Sequence, residues 1–390
     1  MTERFTAGHA RSPAIVLVTG SLEGGGAERQ MSDMANFWAA DGLSITLATW
    51  SGPEIADFYP LDPRVRRVHL QVGTPPVKPL PRLRLNLRRV LRLRRQLVAD
   101  RPDAVLSFMP VSNVLTILAS VGLTSRVVVS ERVQPAEHAE LPLAWQRLRR
   151  VCYAWSEAIV VQTQDAARWV AENCGKSASV IPNALRTLPS LEFPREPLIV
   201  AVGRLEKQKG FDLLVRAFAP IAAEFNDWNV VIIGEGSERQ TLERLRAQLR
   251  LEDRVSFLGQ LREVGSWMAR AGLVVQPSRF EGFPNVVLES MGMGAAVISA
   301  DCPSGPSELI EDGMNGRLVP VEDVPALSRV MAELMSQPEA RRRFGSRALE
   351  VRERFRQERI MSRWEACLLP GYRESMDNAL ESIGCNRSER

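Results

Sequence analysis

Short apolar runs that alternate with helical patterns constrain the fold of this chain more than any other feature. Residues 14–19 form a continuous apolar, β-branched run, which is typical of a strand buried on both faces of a parallel sheet. Further runs lie at 44–50, 104–107, 127–130 and 158–162, and helical patterns separate them. Strands that alternate with helices in this way predict a parallel α/β sheet.

The alternation restarts after a proline-containing segment at 191–197, which we interpret as a linker. Five more apolar runs, each followed by a polar or glycine-containing loop and a helical pattern, occupy 198–202, 230–233, 255–258, 273–276 and 296–299. We therefore predict an α/β protein with two doubly wound, Rossmann-like domains. Their strand ends would face a shared cleft, because ligands bind outside the carboxyl ends of parallel strands.

A length of 390 residues also fits two domains. We assign 1–190 to an N-terminal domain and 191–356 to a C-terminal domain. Two long, charged helical patterns at 341–354 and 357–368 could cover either domain.

Composition excludes several classes of protein. The five cysteines are widely scattered and no pair of the three histidines has metal-ligand spacing, so we expect neither a disulfide framework nor a zinc site. No apolar run is long enough to span a membrane, and the first residues lack the apolar segment of a secretory signal. These observations predict a cytoplasmic protein.

The strongest constellation of polar residues follows the run at 273–276. Pro284 fits the first turn of a helix, and Gly282 before it can adopt unusual backbone angles. The N-terminus of that helix would attract an anion, for which a diphosphate is the obvious candidate. Glu281 in the loop could reach the group attached to the phosphate, and Glu289 on the helix could accept hydrogen bonds from ribose hydroxyls. The alternative interpretation is two solvated surface glutamates beside a helix start.

A second constellation follows the run at 198–202. Gly203 and Gly210 bracket a short loop that presents Arg204 and Lys209, and both cations could bind phosphate oxygens. An ordinary charged loop is the alternative, with Lys207 as easily the exposed lysine.

Glycines mark three further strand ends. Gly24, Gly25 and Gly26 follow the first run and would let a ligand approach the backbone closely, although this is not the Gly-x-Gly-x-x-Gly dinucleotide fingerprint. No acidic residue ends the second run, which argues against a nicotinamide dehydrogenase. Gly234 and Gly236, and the turn at 258–260, would lie on the same rim as Arg204 and Glu281.

Together these motifs resemble family 4 of the retaining nucleotide-sugar glycosyltransferases, which have the GT-B fold. The resemblance covers about residues 14–365 and is most specific in Arg204 with Lys209, in Gly234-Glu235-Gly236 and in the Glu281-x7-Glu289 motif. It implies that Arg204 and Lys209 bind the diphosphate of the donor, and that Glu281 faces the donor sugar and Glu289 the ribose. We therefore group Glu281, Arg204 and Lys209 as catalytic.

The resemblance implies further contacts with the donor. The backbone of Phe283-Pro284-Asn285 would touch the sugar and the phosphate, and the loop with Gly25 and Gly26 would lie beneath the diphosphate from the N-terminal domain, which would hold the acceptor. The remaining residues assigned to donor binding are Gly203, Gly234 and Gly236. The final helix commonly returns to the first domain in this fold, so the segment 357–390 is expected to pack there.

The implied chemistry is front-face transfer with retention of configuration. Asp-x-Asp occurs nowhere in the chain, so Arg204, Lys209 and the helix N-terminus would take the place of a metal ion. No cofactor and no metal site is expected, and family habit favours a UDP-sugar over a GDP-sugar as the donor.

Two positions depart from the common pattern of the family. Glu131-Arg132 follows the run at 127–130, where many members carry a histidine, and Pro284-Asn285 stands where many have a glycine. The segments 25–29, 130–132 and 283–285 resemble the subgroup that extends bacterial glycans on polyprenyl-diphosphate carriers. A glycan or lipid-linked acceptor is therefore expected.

Residues 82–101 contain eight arginines and one acid, which points to an anionic partner. In a helix over 82–98, Leu83, Leu87, Val90, Leu91, Leu97 and Val98 would form the buried face. Leu85 and Leu93 would then lie near the charged face, where an interfacial helix places them against anionic lipid, whereas Arg94 fits neither face. The membrane and acceptor residues assigned here are Arg84, Arg88, Arg92 and Arg95.

We thus predict an enzyme peripheral on the inner face of the cell membrane. The alternatives are another GT-B enzyme, such as an epimerase or an inverting transferase, a catalytically dead scaffold, and a nucleic-acid-binding protein that uses the arginine-rich helix. The Glu281-x7-Glu289 motif argues against another GT-B enzyme and against a catalytically dead scaffold. Aromatic residues are only 6% of the chain and none interleaves these arginines, so stacking platforms for nucleic acid are missing.

Overall fold

A computed structural model describes residues 11–71, 79–136, 141–186, 193–261 and 263–372 of the chain. It contains two parallel sheets, each covered by helices on both faces, which confirms the predicted fold class. The first sheet has the strand order 3-2-1-4-5-6-7, and the strands of the second follow the order 10-9-8-11-12-13. The first sheet consists of β1 (Ala14–Thr19), β2 (Ser44–Thr49), β3 (Arg66–His69), β4 (Ala104–Phe108), β5 (Arg126–Ser130), β6 (Ala158–Val161) and β7 (Ser179–Val180). The second is built from β8 (Glu196–Val202), β9 (Asn229–Ile233), β10 (Val255–Phe257), β11 (Ala271–Gln276), β12 (Val297–Ala300) and β13 (Arg317–Val319).

Side chains of the first sheet alternate between two helical layers because successive residues of a strand point to opposite faces. Ile15 and Leu17 pack against one layer, and Val16 and Val18 against the other. The helices of this half are α1 (Gly26–Ala40), α2 (Pro79–Asp100), α3 (Pro110–Ser120), α4 (Leu143–Cys152) and α5 (Gln164–Cys174). Helix α1 lies on the first face, and α2 to α5 share the second.

The second half repeats this plan with more helices. They are α6 (Phe211–Phe218), α7 (Arg239–Gln248), α8 (Gly265–Arg270), α9 (Asn285–Gly292), α10 (Pro306–Leu309), α11 (Val324–Ser336), α12 (Pro338–Ala348), α13 (Val351–Arg354) and α14 (Gln357–Leu368). In each sheet the strand order reverses beside the first strand, between β1 and β4 and between β8 and β11. Such a reversal opens a crevice at the carboxyl ends of the strands, where ligands bind.

The final helix, α14, packs on the first sheet although it follows the second in sequence. Ile360, Met361 and Trp364 are buried in the same cluster as the β1 side chains. Trp38 of α1 donates a hydrogen bond from Nε1 to Glu365 at 3.2 Å, which ties α14 to the first layer. The chain therefore crosses back from the second sheet to the first.

Some elements differ from the sequence-based expectation. The strands β3, β7 and β13 were not predicted, because they have only four, two and three residues and lack a continuous apolar run. The helical pattern at 341–354 is broken into α12 and α13. The expected boundary between 190 and 191, the first two residues of the linker and the segment after 372 lie outside the described residues.

The predicted orientation of the arginine-rich helix is right for Leu97 and the four assigned arginines but wrong for most of its other leucines. Leu93 is fully buried in α2 and Leu85 packs partly against the same cluster, whereas Leu83, Leu87 and Leu91 are exposed. The reason is that α2 packs against both the sheet and α3, so the buried stripe includes positions between arginines. No helix within the described parts of the chain has the length and hydrophobicity that crossing a bilayer requires.

Arg94, which fitted neither face, has a structural role. Its Nη1 donates hydrogen bonds to the carbonyl oxygens of Ala119 at 3.0 Å and Val121 at 2.6 Å. These carbonyls lie at the C-terminal end of α3, where a cation also interacts favourably with the helix dipole.

Candidate active site

Two loops meet at the carboxyl edge of the second sheet, beside its reversal of strand order. One follows β8 and contains 203–210, and the other follows β11 and contains 277–284. Since β8 and β11 are neighbours, Lys209 on the first loop meets Glu281 on the second, whereas Arg204 makes no ion pair with that carboxylate.

Close backbone packing explains the glycines of this rim. A Cβ atom on Gly234 would lie 1.8 Å from the carbonyl oxygen of Gly203, and one on Gly236 would lie 2.4 Å from that of Leu205. Neither position has room for a side chain. Gly203, Gly234 and Gly236 therefore shape the loop that carries Arg204, which is exposed at the rim.

Lys209 and Glu281 form an ion pair between the two loops. The Nζ atom of Lys209 lies 2.7 Å from Oε1 and 2.9 Å from Oε2 of Glu281. Lys209 ends a short 3-10 turn, Lys207–Lys209, and Lys207 in the same turn is exposed. The alternative that these were ordinary solvated side chains is therefore wrong for Lys209 and right for Lys207.

The Glu281 carboxylate is buried rather than solvated, with 4% of the residue exposed. Its Oε1 also accepts hydrogen bonds from Ser278 Oγ at 2.6 Å and from Gln276 Nε2 at 3.1 Å. Both oxygens are thus held in place by residues of the same domain. The alternative that Glu281 is a solvated surface glutamate is therefore wrong, since its surroundings are those of a buried polar group.

The helix α9 begins immediately after this loop, at Asn285, with Pro284 as its N-cap. Phe283 is buried and its ring packs against Phe355 at a centroid distance of 6.1 Å, which anchors the start of the helix. Gly282 does not have a positive φ, contrary to the role expected for it. A Cβ atom there would lie 2.5 Å from the carbonyl oxygen of Arg132, so glycine permits the two halves to approach.

Residues of the N-terminal half close the other side of this cleft. A Cβ atom on Gly26 would lie 3.3 Å from Asn285 Nδ2, and Gly25 is the N-cap of α1. Arg29, one turn into α1, forms an ion pair with Glu289 on α9. The second glutamate of the motif is therefore also buried, and it binds a cation from the opposite half.

Three of these cleft residues were missed or left without a role by the sequence analysis. Asn183 donates a hydrogen bond from Nδ2 to Asn285 Oδ1 at 2.6 Å across the cleft. Arg132, beside it, donates from Nη2 to Asn183 Oδ1. Arg29 belongs to the segment 25–29, in which this arginine was given no separate role. No local pattern marks Asn183, because its importance depends on how the halves dock.

Glu131 lies in a separate network inside the N-terminal half. It accepts a hydrogen bond from the Tyr153 hydroxyl at 2.5 Å and lies 3.5 Å from Arg149 Nη1. Asn113 completes this network by donating to Tyr153 at 2.7 Å. Burial raises the pKa of Glu131 even though Arg149 opposes that shift.

The arginines assigned to a membrane or acceptor lie apart from this cleft network. Arg84, Arg88 and Arg95 are exposed on α2. Arg92 is exposed too, and its Nη1 donates to the carbonyl oxygens of Leu70 and, at 3.1 Å, Gln71. In the described portions of the chain, no hydrogen bond or ion pair joins these four arginines to the cleft residues.

No group of three or more His, Cys, Asp or Glu side chains among the described residues is arranged to hold a metal ion. The charged groups that converge on the cleft include the cations of Arg29, Lys209 and Arg132 and the carboxylates of Glu281 and Glu289. The ion pair of Asp33 with Arg186 lies beside Arg29. Such an arrangement can bind an anion and orient hydroxyl groups beside it.

Family models match both halves of the chain. Residues 24–187 match the model described as Glycosyltransferase Family 4, and residues 188–351 match the one described as Glycosyl transferases group 1. Together the two matches cover most of the chain.

Two named relatives match different shares of this chain. An exopolysaccharide phosphotransferase of Streptomyces coelicolor is 35% identical over 54% of this chain, a match that spans only 23% of that relative. An α-1,4-N-acetyl-D-galactosaminyltransferase of Campylobacter jejuni, whose name includes a glycan on PP-undecaprenol, is 25% identical over 90% of this chain and 96% of its own length.

Solved structures share the whole architecture. Sucrose-phosphate synthase of Thermosynechococcus elongatus has a TM-score of 0.80 over 94% of this chain and 100% of that chain, at 20% identity. Anabaena HepE in complex with UDP and glucose has a TM-score of 0.74 over 91% of this chain and 99% of that chain, also at 20% identity. At this identity, the similarity establishes the fold.

Proposed function

Because this chain belongs to glycosyltransferase family 4 and has the GT-B fold, we propose that it transfers a sugar from a nucleotide-sugar donor with retention of configuration. The observation that carries the proposal is the convergence of Lys209, Glu281 and Glu289 at the start of α9, opposite Gly26 and Arg29. This single cleft offers cations for a diphosphate and carboxylates for hydroxyl groups.

The donor diphosphate would bind at the N-terminus of α9, where backbone N–H groups and the helix dipole favour an anion. Arg204 is exposed at the rim and can turn to the phosphates, and Lys209, held beside Glu281, would supply a second cation. Glu281 would then face the sugar, and Glu289 would share its carboxylate between Arg29 and the ribose hydroxyls. The family to which the chain belongs supports these roles.

Transfer would proceed on one face of the sugar. The bond between the anomeric carbon and the diphosphate oxygen breaks, a bond from the acceptor oxygen forms on the same face, and the leaving phosphate takes the acceptor proton. Cations held beside the leaving group stabilise its developing charge, which is usually the largest electrostatic contribution to catalysis. Arg204, Lys209 and the α9 N-terminus supply that charge here, so we propose that no metal ion is required.

A UDP-sugar is the proposed donor and a lipid-linked glycan the proposed acceptor. HepE, which has the same fold, is described in complex with UDP and glucose. The name of the Campylobacter jejuni relative includes a glycan linked to PP-undecaprenol. This chain matches that relative over nearly the relative's entire length. An acceptor of this type would be presented at a membrane surface.

The outer surface of α2 supports peripheral membrane binding, with different leucines from those first predicted. The exposed side chains of Leu83, Leu87 and Leu91 lie on the same half of the helix as Arg84 and Arg88. Leucines next to arginines on one exposed surface are typical of interfacial helices on anionic lipid.

Helix α4 extends this surface. It lies on the other side of α3 from α2, and its exposed apolar side chains Leu143, Leu148 and Val151 are accompanied by Trp155 in the turn that follows. Tryptophan is enriched where membranes meet water, because its ring is amphipathic. We propose that the α2–α4 layer contacts the inner face of the cell membrane.

A thermal-shift screen with UDP- and GDP-sugars tests the donor assignment. A ligand present at 100 times its dissociation constant should add about 2.7 kcal/mol to the stability of the protein. Stabilisation by one of these nucleotide sugars, followed by transfer with the same anomeric configuration in the product, is the expected result. A product of inverted configuration would contradict the retaining mechanism.

Liposome co-sedimentation tests the membrane surface separately. The wild type should sediment with anionic vesicles at low salt and be released at high salt, since each arginine contributes about 1 kcal/mol and screening removes it. An Arg84→Glu, Arg88→Glu, Arg95→Glu variant should remain in the supernatant. If the wild type does not sediment, or the variant sediments equally, the proposed surface is wrong.

A further inference from the structure

Arg132 is a buried cation that lies where the two halves of the chain meet. It follows β5, and only 7% of the residue is exposed. Its guanidinium lies over the ring of Phe108, 4.4 Å from the ring centroid. The Nη2 atom donates a hydrogen bond to Asn183, which is a neutral partner.

The remaining donors of Arg132 have no acceptor within the parts of the chain that the structure describes. Its Nε and Nη1 atoms are inaccessible to solvent and make no hydrogen bond. These two atoms carry three of the five N–H donors of a guanidinium. These three donors have lost their water without gaining protein acceptors in exchange.

A counterion for Arg132 is also missing among the described residues. The adjacent carboxylate, Glu131, belongs to the network with Arg149 and Tyr153. Burial lowers the pKa of Arg132 to about 9, which still leaves the side chain protonated at neutral pH. Of these two buried arginines, Arg149 therefore has a carboxylate nearby, whereas Arg132 has none among the described residues.

The position of Arg132 connects it to the donor cleft. Its carbonyl oxygen lies 2.5 Å from the position that a Cβ atom would take on Gly282, next to Glu281. Asn183, which binds its guanidinium, also binds Asn285 at the start of α9. The unpaired cation is therefore two hydrogen bonds away from the helix N-terminus at which we place the diphosphate.

We propose that Arg132 is an oxyanion-binding residue that the N-terminal half contributes to the donor site. An anion would satisfy both the missing charge and the three unused N–H donors, as a neutral hydroxyl could not. The oxyanion is either an oxygen of the donor β-phosphate or a carboxylate on the transferred sugar. This inference rests on the proposed nucleotide-sugar function and adds a specificity determinant to it.

Calorimetric titration of wild type and Arg132→Gln with four probes tests the assignment. The probes are UMP, UDP, UDP-glucose and UDP-glucuronate, or their guanosine counterparts if the wild type prefers guanosine. Arg132→Gln should lose roughly 10- to 100-fold in affinity for every probe that carries the recognised anion and retain its affinity for UMP. Arg132→Lys keeps the charge, is the second variant if Arg132→Gln folds poorly, and should lose less.

Arg149→Lys is the matched control, because Arg149 is also buried and its Nε and Nη1 atoms also make no hydrogen bond, but its charge lies 3.5 Å from the Glu131 carboxylate. It should bind all four probes as the wild type does. A loss for UDP and both sugar nucleotides identifies the β-phosphate as the ligand, and a loss for UDP-glucuronate alone identifies a sugar carboxylate.

Two results would overturn the inference alone. They are unchanged affinities in Arg132→Gln and Arg132→Lys, or an equal fall for all four probes including UMP, which would indicate a structural role. A wild type that binds none of the nucleotides would instead overturn the proposed function, and this inference with it.

Discussion

The cleft has a C-terminal wall, formed by the loops after β8 and β11 and by α9, and an N-terminal wall, which includes the start of α1 and Asn183. The two walls differ in where their charged groups find binding partners. In the C-terminal wall, Lys209 and Glu281 pair with each other, and Ser278 and Gln276 bind the same carboxylate. In the N-terminal wall, by contrast, Arg29 finds its carboxylate on the opposite half.

This difference indicates which part of the site is preorganised. The contacts of Glu281 lie within one domain, so they do not depend on how the two halves are arranged. The contacts of Arg29 and Asn183 to α9 exist only when the halves meet. We infer that the C-terminal wall is formed before the donor binds, and that the N-terminal wall is completed by closure and by the donor itself.

Removing the centre of the C-terminal wall should have the largest effect. Glu281→Gln should lower kcat by about 10²–10³-fold, the magnitude expected when one electrostatic group of a catalytic site is lost. Stability should also fall by about 1–3 kcal/mol, because Lys209 is left with a weaker partner. Steady-state kinetics and urea unfolding measure the two effects.

The control is Glu196→Gln at the start of β8, away from the cleft, which breaks a partly exposed ion pair with Arg270 of α8. It should leave kcat unchanged. Full turnover by a folded Glu281→Gln protein would remove this residue from the mechanism.

The cations of the same wall should have the next largest effect. Arg204→Ala combined with Lys209→Ala should weaken donor binding by about 1.5–3 kcal/mol for each charge-assisted hydrogen bond lost. Lys207→Ala is the matched control, since Lys207 is an exposed lysine of the same turn. Titration calorimetry with the donor decides the matter, and equal affinities in the two variants would exclude these cations from the site.

The buried network behind the N-terminal wall should affect stability and its pH dependence rather than donor binding. Burial raises the pKa of Glu131 above its ordinary value of 4.5, so the folded state retains a proton that the unfolded state releases. Its contribution to stability is therefore present below about pH 4.5 and is lost as pH rises through the folded pKa. The free energy of unfolding of Glu131→Gln, subtracted from that of the wild type, should show this slope.

Donor affinity should be the same in Glu131→Gln and the wild type, because Glu131 points to Tyr153 and Arg149 rather than to α9. A difference between the two stability curves that is flat, or that rises with pH, would show that Glu131 has an ordinary or a lowered pKa.

Removal of divalent metal ions should have the smallest effect. If side-chain cations of both walls neutralise the leaving diphosphate, transfer should continue at an unchanged rate in EDTA. An activity that disappears in EDTA and returns with Mg²⁺ or Mn²⁺ would show that the walls alone do not supply the charge.

Sequence patterns were sufficient for the elements that carry the site. The β1 strand and the α14 helix have the bounds expected from their apolar periodicity. Lys209, Glu281 and Glu289 were singled out because each lies near the end of a buried strand or the start of a helix. Parallel strands place such ends at one edge of the sheet, so their convergence follows from chain order alone.

The interaction partners of these side chains, and the buried side of each helix, could not be predicted from sequence patterns. The sequence does not indicate that Arg29 binds Glu289, that Gly282 is required for the approach of Arg132, or that Leu93 is the buried side of α2. A periodic pattern covers only a few residues, and it indicates only that this segment has an apolar side. Which side chains meet across more than a hundred residues of sequence depends on how helices pack on the sheets and how the two halves dock, and only the tertiary structure decides that.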